Sequence, residues 1–293
     1  RNAIPCEIHE DRNFEQHARK QYLIMSHKVT LPKYTDTTPN EDSCIAIDDL
    51  IAISDGAGGC GVFASDWSKY LIDKIPHKPI TSFEEFDNWI DSIWEPFYNK
   101  HEEIAKEYDG IFQKKFYTEG SCATIAVVWR LRFDYCYYIA YGDSVVFHYN
   151  KTSGKLEHSF TKLADFSNPP HLISCKDPLQ EEGFKKGEFV LENDSVVFAA
   201  SDAISHFVLM MYMASHSDKY EEDINEIISS KSSDATMLSL ALKLANQKEI
   251  SFDVLINDIL NWCDNQEKFQ KDIVALNKKG LIDIDDYTIV KFD

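Results

Sequence analysis

Residues 121–150 read SCATIAVVWRLRFDYCYYIAYGDSVVFHYN, and this stretch decides the architecture. Three runs rich in Val, Ile, Tyr and Phe follow one another in it: Ser121 to Arg130, Asp134 to Tyr141 and Val145 to Tyr149. The gaps between them are hairpin-sized and far too short for a β-α-β crossover, so the spacing predicts antiparallel strands. Working outward, Tyr22 to Thr30, Ser43 to Ser54, Asp194 to Ala200 and Tyr287 to Phe292 have the same character and are bounded by polar or turn-forming residues.

The remaining apolar segments repeat at helical spacing. Ser82 with Glu85 three residues on is a capping-box signal. Phe83, Phe86, Trp89, Ile90, Ile93, Trp94 and Phe97 then make one aromatic face, with a kink expected at Pro96 and a stop at Gly110. Trp67, Tyr70, Leu71 and Ile75 form a second stripe, and Ile204, Phe207, Val208 and Met211 a third. Phe252 to Leu260 precede Phe269, Ile273 and Leu276, with Gly280 placed to end the last helix. One-sided helices beside antiparallel strands predict helix layers covering sheets, an α+β sandwich. No repeat, linker or charge block divides the chain, so one domain is expected over residues 1–293. Residues 219–251 are charged and weakly periodic and read as a helical surface excursion within it.

The composition bounds the partners. With 30 basic and 49 acidic side chains the net charge is −19, and 44% of the residues are hydrophobic. That apolar share supports a packed core and excludes disorder for most of the chain. Lys114, Lys115, Lys185 and Lys186 occur only as scattered pairs, so there is no basic stripe and nucleic acid is not expected as a partner. No apolar run approaches the ~20 residues of a membrane span, and nothing near Arg1 resembles a signal peptide. The seven cysteines, Cys6, Cys44, Cys60, Cys122, Cys136, Cys175 and Cys263, stand far apart with no C-x-x-C pair. They read as reduced, mostly packed thiols, and a cytoplasmic location is expected.

The chemistry lies at the strand ends. Asn40-Glu41-Asp42 leads into Ser43, Ser54 runs into Asp55-Gly56-Ala57-Gly58-Gly59, Asp143 follows Tyr141, Asp202 follows Ser201, and Asp285-Asp286 opens the last strand. A carboxylate at the end of an apolar strand is expensive to desolvate unless a cation, a donor or a proton compensates it. Several such carboxylates from distant segments suggest a shared cation. An all-oxygen set without Cys/His spacing or an EF-hand loop favours Mg²⁺ or Mn²⁺. The glycines after Asp55 permit an immediate turn and the close approach of a backbone carbonyl.

In order along the chain, Asn40-Glu41-Asp42-Ser43, Ser54-Asp55-Gly56-Ala57-Gly58-Gly59, Glu119-Gly120-Ser121-Cys122-Ala123-Thr124, Tyr141-Gly142-Asp143-Ser144, Ala200-Ser201-Asp202 and Asp285-Asp286-Tyr287-Thr288 resemble the metal-dependent serine/threonine protein phosphatases, the type-2C or PPM family, in its bacterial branch. The resemblance runs from Asn40 to Phe292. It implies two antiparallel β-sheets sandwiched between layers of helices. It also implies hydrolysis of phosphoserine and phosphothreonine in proteins by a metal-activated water at a dinuclear Mn²⁺ or Mg²⁺ site, with no seryl nucleophile among Ser43, Ser121 and Ser144. In that reading Asp55 bridges the two ions, the Gly56 carbonyl joins one of them, Asp202 and Asp285 are the other direct ligands, Glu41 and Asp42 hold metal-bound waters, and Asp143 contributes to a third, weaker site. A phosphorylated protein is the implied substrate and a kinase the implied counterpart.

The chain departs from the family pattern at three places. Thr37 stands where relatives carry a phosphate-gripping Arg, leaving Lys33 or Lys28 to reach in from the preceding segment. Ala57 removes the side chain that in many relatives serves as a general acid. Ala203 and His206 alter the surroundings of the third site, so that two ions are expected. These departures motivate two alternatives: a phosphatase-like binding or regulatory module with little turnover, and a phosphatase of small phosphorylated metabolites.

Overall fold

Every residue of β3 (Leu50–Ser54) is buried, which an antiparallel strand achieves only when both faces of its sheet are covered. A computed structural model of the chain describes residues 25–33, 38–247 and 251–292. Around β3 lie β1 (Ser26–Leu31), β2 (Ser43–Ile47), α1 (Ala64–Lys74), α2 (Phe83–Ala105) and α3 (Gly110–Glu119). Then come β4 (Cys122–Ala123), β5 (Ile125–Arg132), β6 (Tyr135–Tyr141), β7 (Val145–Asn150), β8 (Lys155–His158), β9 (Ile173–Ser174), β10 (Phe184–Val190) and β11 (Ser195–Ala200). The chain closes with α4 (Asp202–Ser215), α5 (Glu221–Ser230), α6 (Ser233–Asn246), α7 (Phe252–Leu260), α8 (Gln266–Lys279) and β12 (Tyr287–Phe292).

Among the described residues two five-stranded sheets form, ordered β1-β12-β11-β7-β8 and β10-β6-β5-β3-β2, and β4 pairs separately with β9. All of these pairings are antiparallel. The period of two sorts the side chains into layers. Ile51, Ile53, Ala126 and Val128 of one sheet meet Val146, Val197, Ala199 and Val290 of the other. The alternate residues Leu50, Ala52, Val127 and Trp129 face Trp67 and Leu71 of α1 and Phe86 and Ile90 of α2. Beyond the second sheet, Val145, Phe147, Tyr149 and Phe198 pack on Ile204, Phe207 and Met211 of α4. Each such Val, Leu, Ile or Phe contributes roughly 1.5–3 kcal/mol when fully buried. The result is the α+β arrangement of two antiparallel sheets between helix layers.

Several local expectations are corrected. The run from Ser43 to Ser54 is a hairpin of two strands, because Asp48 and Asp49 turn the chain and the Asp49 carbonyl accepts from the Arg130 N–H at 2.8 Å. Gly110 starts a helix: the Asp109 carboxylate accepts from the Ile111 and Phe112 amides at 3.0 and 2.8 Å and caps α3. The edge strand β10, FKKGEFV, hid behind its two exposed lysines. Of the stretch 219–251, the described part holds α5 and α6, and these pack inward: Leu238 and Ala241 of α6 are fully buried in the core that α4 shares with its sheet. Cys60 is exposed rather than packed. Cys6, Tyr22 to Ile24 and Thr37 lie outside the described residues.

Candidate metal centre

Strand register alone gathers the acids. Ser43 pairs with Ser54, which sets Asp42 and Asp55 side by side just beyond the β2–β3 hairpin ladder. Ala200 pairs with both Val145 and Ile289, so Asp202, Asp143 and the Asp285–Asp286 pair all leave the first sheet at one end. Ile125 pairs with Tyr141, bringing the β6–β7 turn with Asp143 to the corresponding end of the second sheet.

Glu41 is fixed through its backbone. Its carbonyl accepts from the Ser68 hydroxyl at 2.6 Å and from the Gly56 N–H at 3.1 Å, and its own N–H donates to Asp286 Oδ2 at 2.8 Å. Asn40 Oδ1 accepts from the Asp42 N–H at 2.9 Å. The glycine turn fits tightly around Glu41. A Cβ on Gly56 would stand 2.7 Å from both the Glu41 and the Ala64 carbonyl oxygens, and one on Gly58 would stand 2.1 Å from Glu41 Oε1. The Gly56 carbonyl accepts from the Gly58 N–H at 3.1 Å and keeps a second lone pair.

The acids destabilise one another's charged forms. Burial pushes the Asp55 carboxyl well above the usual carboxylate range, helped by Asp42, Asp202, Asp143 and Asp285. Asp202 is raised in the same way, by burial and then by Asp143, Asp285 and Asp42. Burial lifts Asp42 to about 7, with Asp286 adding to the effect, and lifts Asp143 to about 6, with Asp285 adding. Asp42 is only 7% exposed, and among the described residues neither carboxylate oxygen has a hydrogen-bond partner of ordinary geometry, although the Thr288 and Ser201 hydroxyls lie near enough to favour its charge.

Lys33 is the one side chain of opposite sign seen in direct contact with this group among the described residues. Its ammonium lies 3.1 Å from Glu41 Oε2, 3.2 Å from Asp285 Oδ1 and 4.0 Å from Asp286 Oδ2. Burial disfavours that charge, but Asp285 and Glu41 outweigh it and raise the ammonium's pKa. Asp286, which sequence reasoning left without a role, is buried and holds the Lys33 N–H on Oδ1 at 2.7 Å as well as the Glu41 N–H. Its position beside Asp285 at the mouth of β12 was the available signal.

Among the described residues, no three His, Cys, Asp or Glu side chains are arranged to hold a metal ion as they stand. The donor set nevertheless suits a hard cation: crowded carboxylates, one of them buried with no described partner of ordinary geometry, and a backbone carbonyl at a glycine turn. His206 is not part of it. It is buried in α4, edge-on to Phe166, with Nε2 at 3.9 Å from Asp234. Lys28 donates instead to the Cys44 carbonyl at 3.1 Å.

No family model and no curated protein matches the chain. Among solved structures, its fold is similar to the catalytic domain of the serine/threonine protein phosphatase PstP in complex with two manganese ions, at 15% identity and a TM-score of 0.46, covering 92% of this chain and 97% of that one. The serine/threonine phosphatase Stp1 of Staphylococcus aureus is 13% identical with a TM-score of 0.48, covering 92% and 94% of the two chains. PppA of Pseudomonas aeruginosa is 12% identical with a TM-score of 0.47, covering 92% and 96%.

Proposed function

We propose that the chain is a Mn²⁺- or Mg²⁺-dependent phosphatase that hydrolyses phosphoserine and phosphothreonine in proteins, opposing a kinase in the cytoplasm. The observation that carries this reading is the convergence of Asp42, Asp55, Asp143, Asp202 and Asp285 at one end of the sandwich, where burial and neighbouring carboxylates raise the pKa values of the first four. In the reading Asp55, Asp202, Asp285 and the Gly56 carbonyl hold two ions, Glu41 and Asp42 hold water beside them, and Asp143 lies at the edge. Bound divalent cations supply Lewis-acid polarisation of the phosphoryl oxygens and make hydroxide available near neutral pH.

The chain's own residues orient and exclude. Asp286 fixes Glu41 and Lys33, and the glycine turn brings backbone where a side chain would obstruct Glu41. None of Ser43, Ser121 and Ser144 is free to act as a nucleophile in this reading. Ser121 is fully buried, Ser144 shares a hydrogen bond with the Thr124 hydroxyl at 2.7 Å, and Ser43 shares one with the Ser68 hydroxyl at 3.2 Å. Direct attack by water on phosphorus is consistent with that arrangement. A cavity of about 220 Å³ beside Asp143, lined also by Phe160, His171 and Lys185, offers room for residues flanking a phosphoamino acid. Among the described residues no helix is long and apolar enough to cross a membrane.

Hydrolysis of p-nitrophenyl phosphate with Mn²⁺ tests the proposal. Turnover is expected to vanish in EDTA and in folded Asp55→Ala and Asp202→Ala variants, and phosphopeptides are expected to be preferred to small phosphate esters. Metal binding without turnover would instead make the chain a binding module, and a preference for small esters would make it a metabolite phosphatase.

A further inference from the structure

Lys33 follows β1, and the β1–β12 register, with Thr30 opposite Thr288 and Leu31 opposite Tyr287, carries it to the level of Asp285 and Asp286. Its backbone N–H is tied to Asp286 Oδ1 at 2.7 Å, so the side chain is delivered to the acids rather than left to wander. The ammonium then bonds Asp285 Oδ1 and Glu41 Oε2 at 3.2 and 3.1 Å, and its side chain is only 25% exposed. Asp285 Oδ1 also accepts the Asp286 N–H at 2.8 Å, so that oxygen already serves two donors. A carboxylate oxygen has about two lone pairs to offer, and a cation arriving there meets an occupied oxygen and a fixed positive charge.

We propose that Lys33 is a tethered counter-cation that competes with a divalent ion for Asp285, so that loading the Asp285 side of the site requires the ammonium to leave. The inference rests on the metal-dependent reading above and deepens it. It accounts for an Asp285 oxygen that already serves two donors. Two consequences follow. Removing the Lys33 charge strengthens divalent binding although it deletes an attractive contact from the folded chain. In the unaltered protein, metal loading releases the ammonium from its two carboxylates into solvent.

Calorimetric titration of the full chain with Mn²⁺ tests the first consequence, with folding of each variant checked by circular dichroism in EDTA. Lys33→Gln is expected to bind one ion about fivefold tighter than the unaltered protein, the gain set by the loss of a partly screened ammonium that contacts two carboxylates. Lys33→Arg is expected to keep the weaker affinity. Adding Asp285→Asn, both to the unaltered protein and to the Lys33→Gln variant, should abolish the difference between them. Equal or weaker binding by a folded Lys33→Gln variant overturns the competition and leaves the dinuclear reading standing. Absence of Mn²⁺ binding in every protein overturns both. The second consequence needs no variant: acetic anhydride labelling read by mass spectrometry is expected to modify Lys33 several-fold faster with Mn²⁺ than with EDTA, and an unchanged or slower rate overturns the release.

Discussion

Replacing Asp42 by Asn is expected to stabilise the metal-free protein, an unusual outcome for a buried residue directly before a strand. Asp42 is 7% exposed and, among the described residues, both carboxylate oxygens lack a partner of ordinary geometry. Burial lifts its pKa to about 7, whereas a carboxyl in the unfolded chain titrates near 3.9. A group held above its unfolded value contributes stability below the unfolded pKa and loses it as pH rises through the folded one. Holding the charge at pH 8 therefore costs about 4 kcal/mol at most, three or so pK units at 1.36 kcal/mol each. Asparagine removes that cost but leaves an amide short of hydrogen bonds, a penalty of roughly 1–3 kcal/mol. A net gain of about 2 kcal/mol remains, or roughly 4 °C in Tm for a chain of this size. Thermal melts in EDTA at pH 8 and pH 4.5 supply the assay. The gain should be present at pH 8 and nearly absent at pH 4.5, where the wild-type carboxyl is protonated. With saturating Mn²⁺ the order should reverse, because only the carboxylate rewards the ion. A variant no more stable than wild type in EDTA at pH 8, or equally stabilised at both pH values, would refute the claim that uncompensated charge burdens this position.

Three further substitutions separate scaffold from chemistry. Gly56→Ala drives a Cβ against two backbone carbonyls at 2.7 Å, neither free to move, and is expected to cost roughly 3 kcal/mol or more in urea denaturation. Gly58→Ala meets the Glu41 carboxylate first, so stability should change by under about 1 kcal/mol while hydrolysis of p-nitrophenyl phosphate falls sharply as Glu41 is pushed aside. Ser121→Ala deletes a fully buried hydroxyl oxygen without a hydrogen-bond partner and should leave Tm equal or higher, with turnover within roughly tenfold. Collapse of turnover in that folded variant would point to a seryl nucleophile.

The layers were legible because burial imposes a period. The runs at residues 125–132, 135–141 and 145–150 alternate between sheet partner and helix partner, and hairpin-sized gaps leave antiparallel pairing as the sole economical topology. Where polarity masks the period, the reading failed. Lys185 and Lys186 concealed an edge strand, and the charged helices α5 and α6 concealed buried faces built from Ile224, Ile227, Leu238 and Ala241. The acids were visible as residues placed against type at strand ends. Asp286 and Lys33 were harder to assign, since their roles depend on the β1–β12 register, a pairing of segments more than 250 positions apart that no local pattern encodes.

That long-range pairing also explains how the fold tolerates a cluster of like charges. The acids are delivered by strands whose inward residues, among them Ile51, Ile53, Val197 and Val290, are essentially inaccessible, so the sandwich fixes their positions whatever their mutual repulsion. The repulsion is confined to one end, where Asp42, Asp55, Asp143 and Asp202 each resist ionisation. Stability and site are therefore opposed in sign. Substitutions that neutralise an acid should relieve the fold, and those that loosen the strands should lose fold and site together. A divalent ion reverses the first effect by binding the native arrangement and not the unfolded chain, stabilising by about 2.7 kcal/mol at a hundred times its Kd. The measured sign of that reversal, acid by acid, would distinguish residues that ligate from residues that merely share the crowded end.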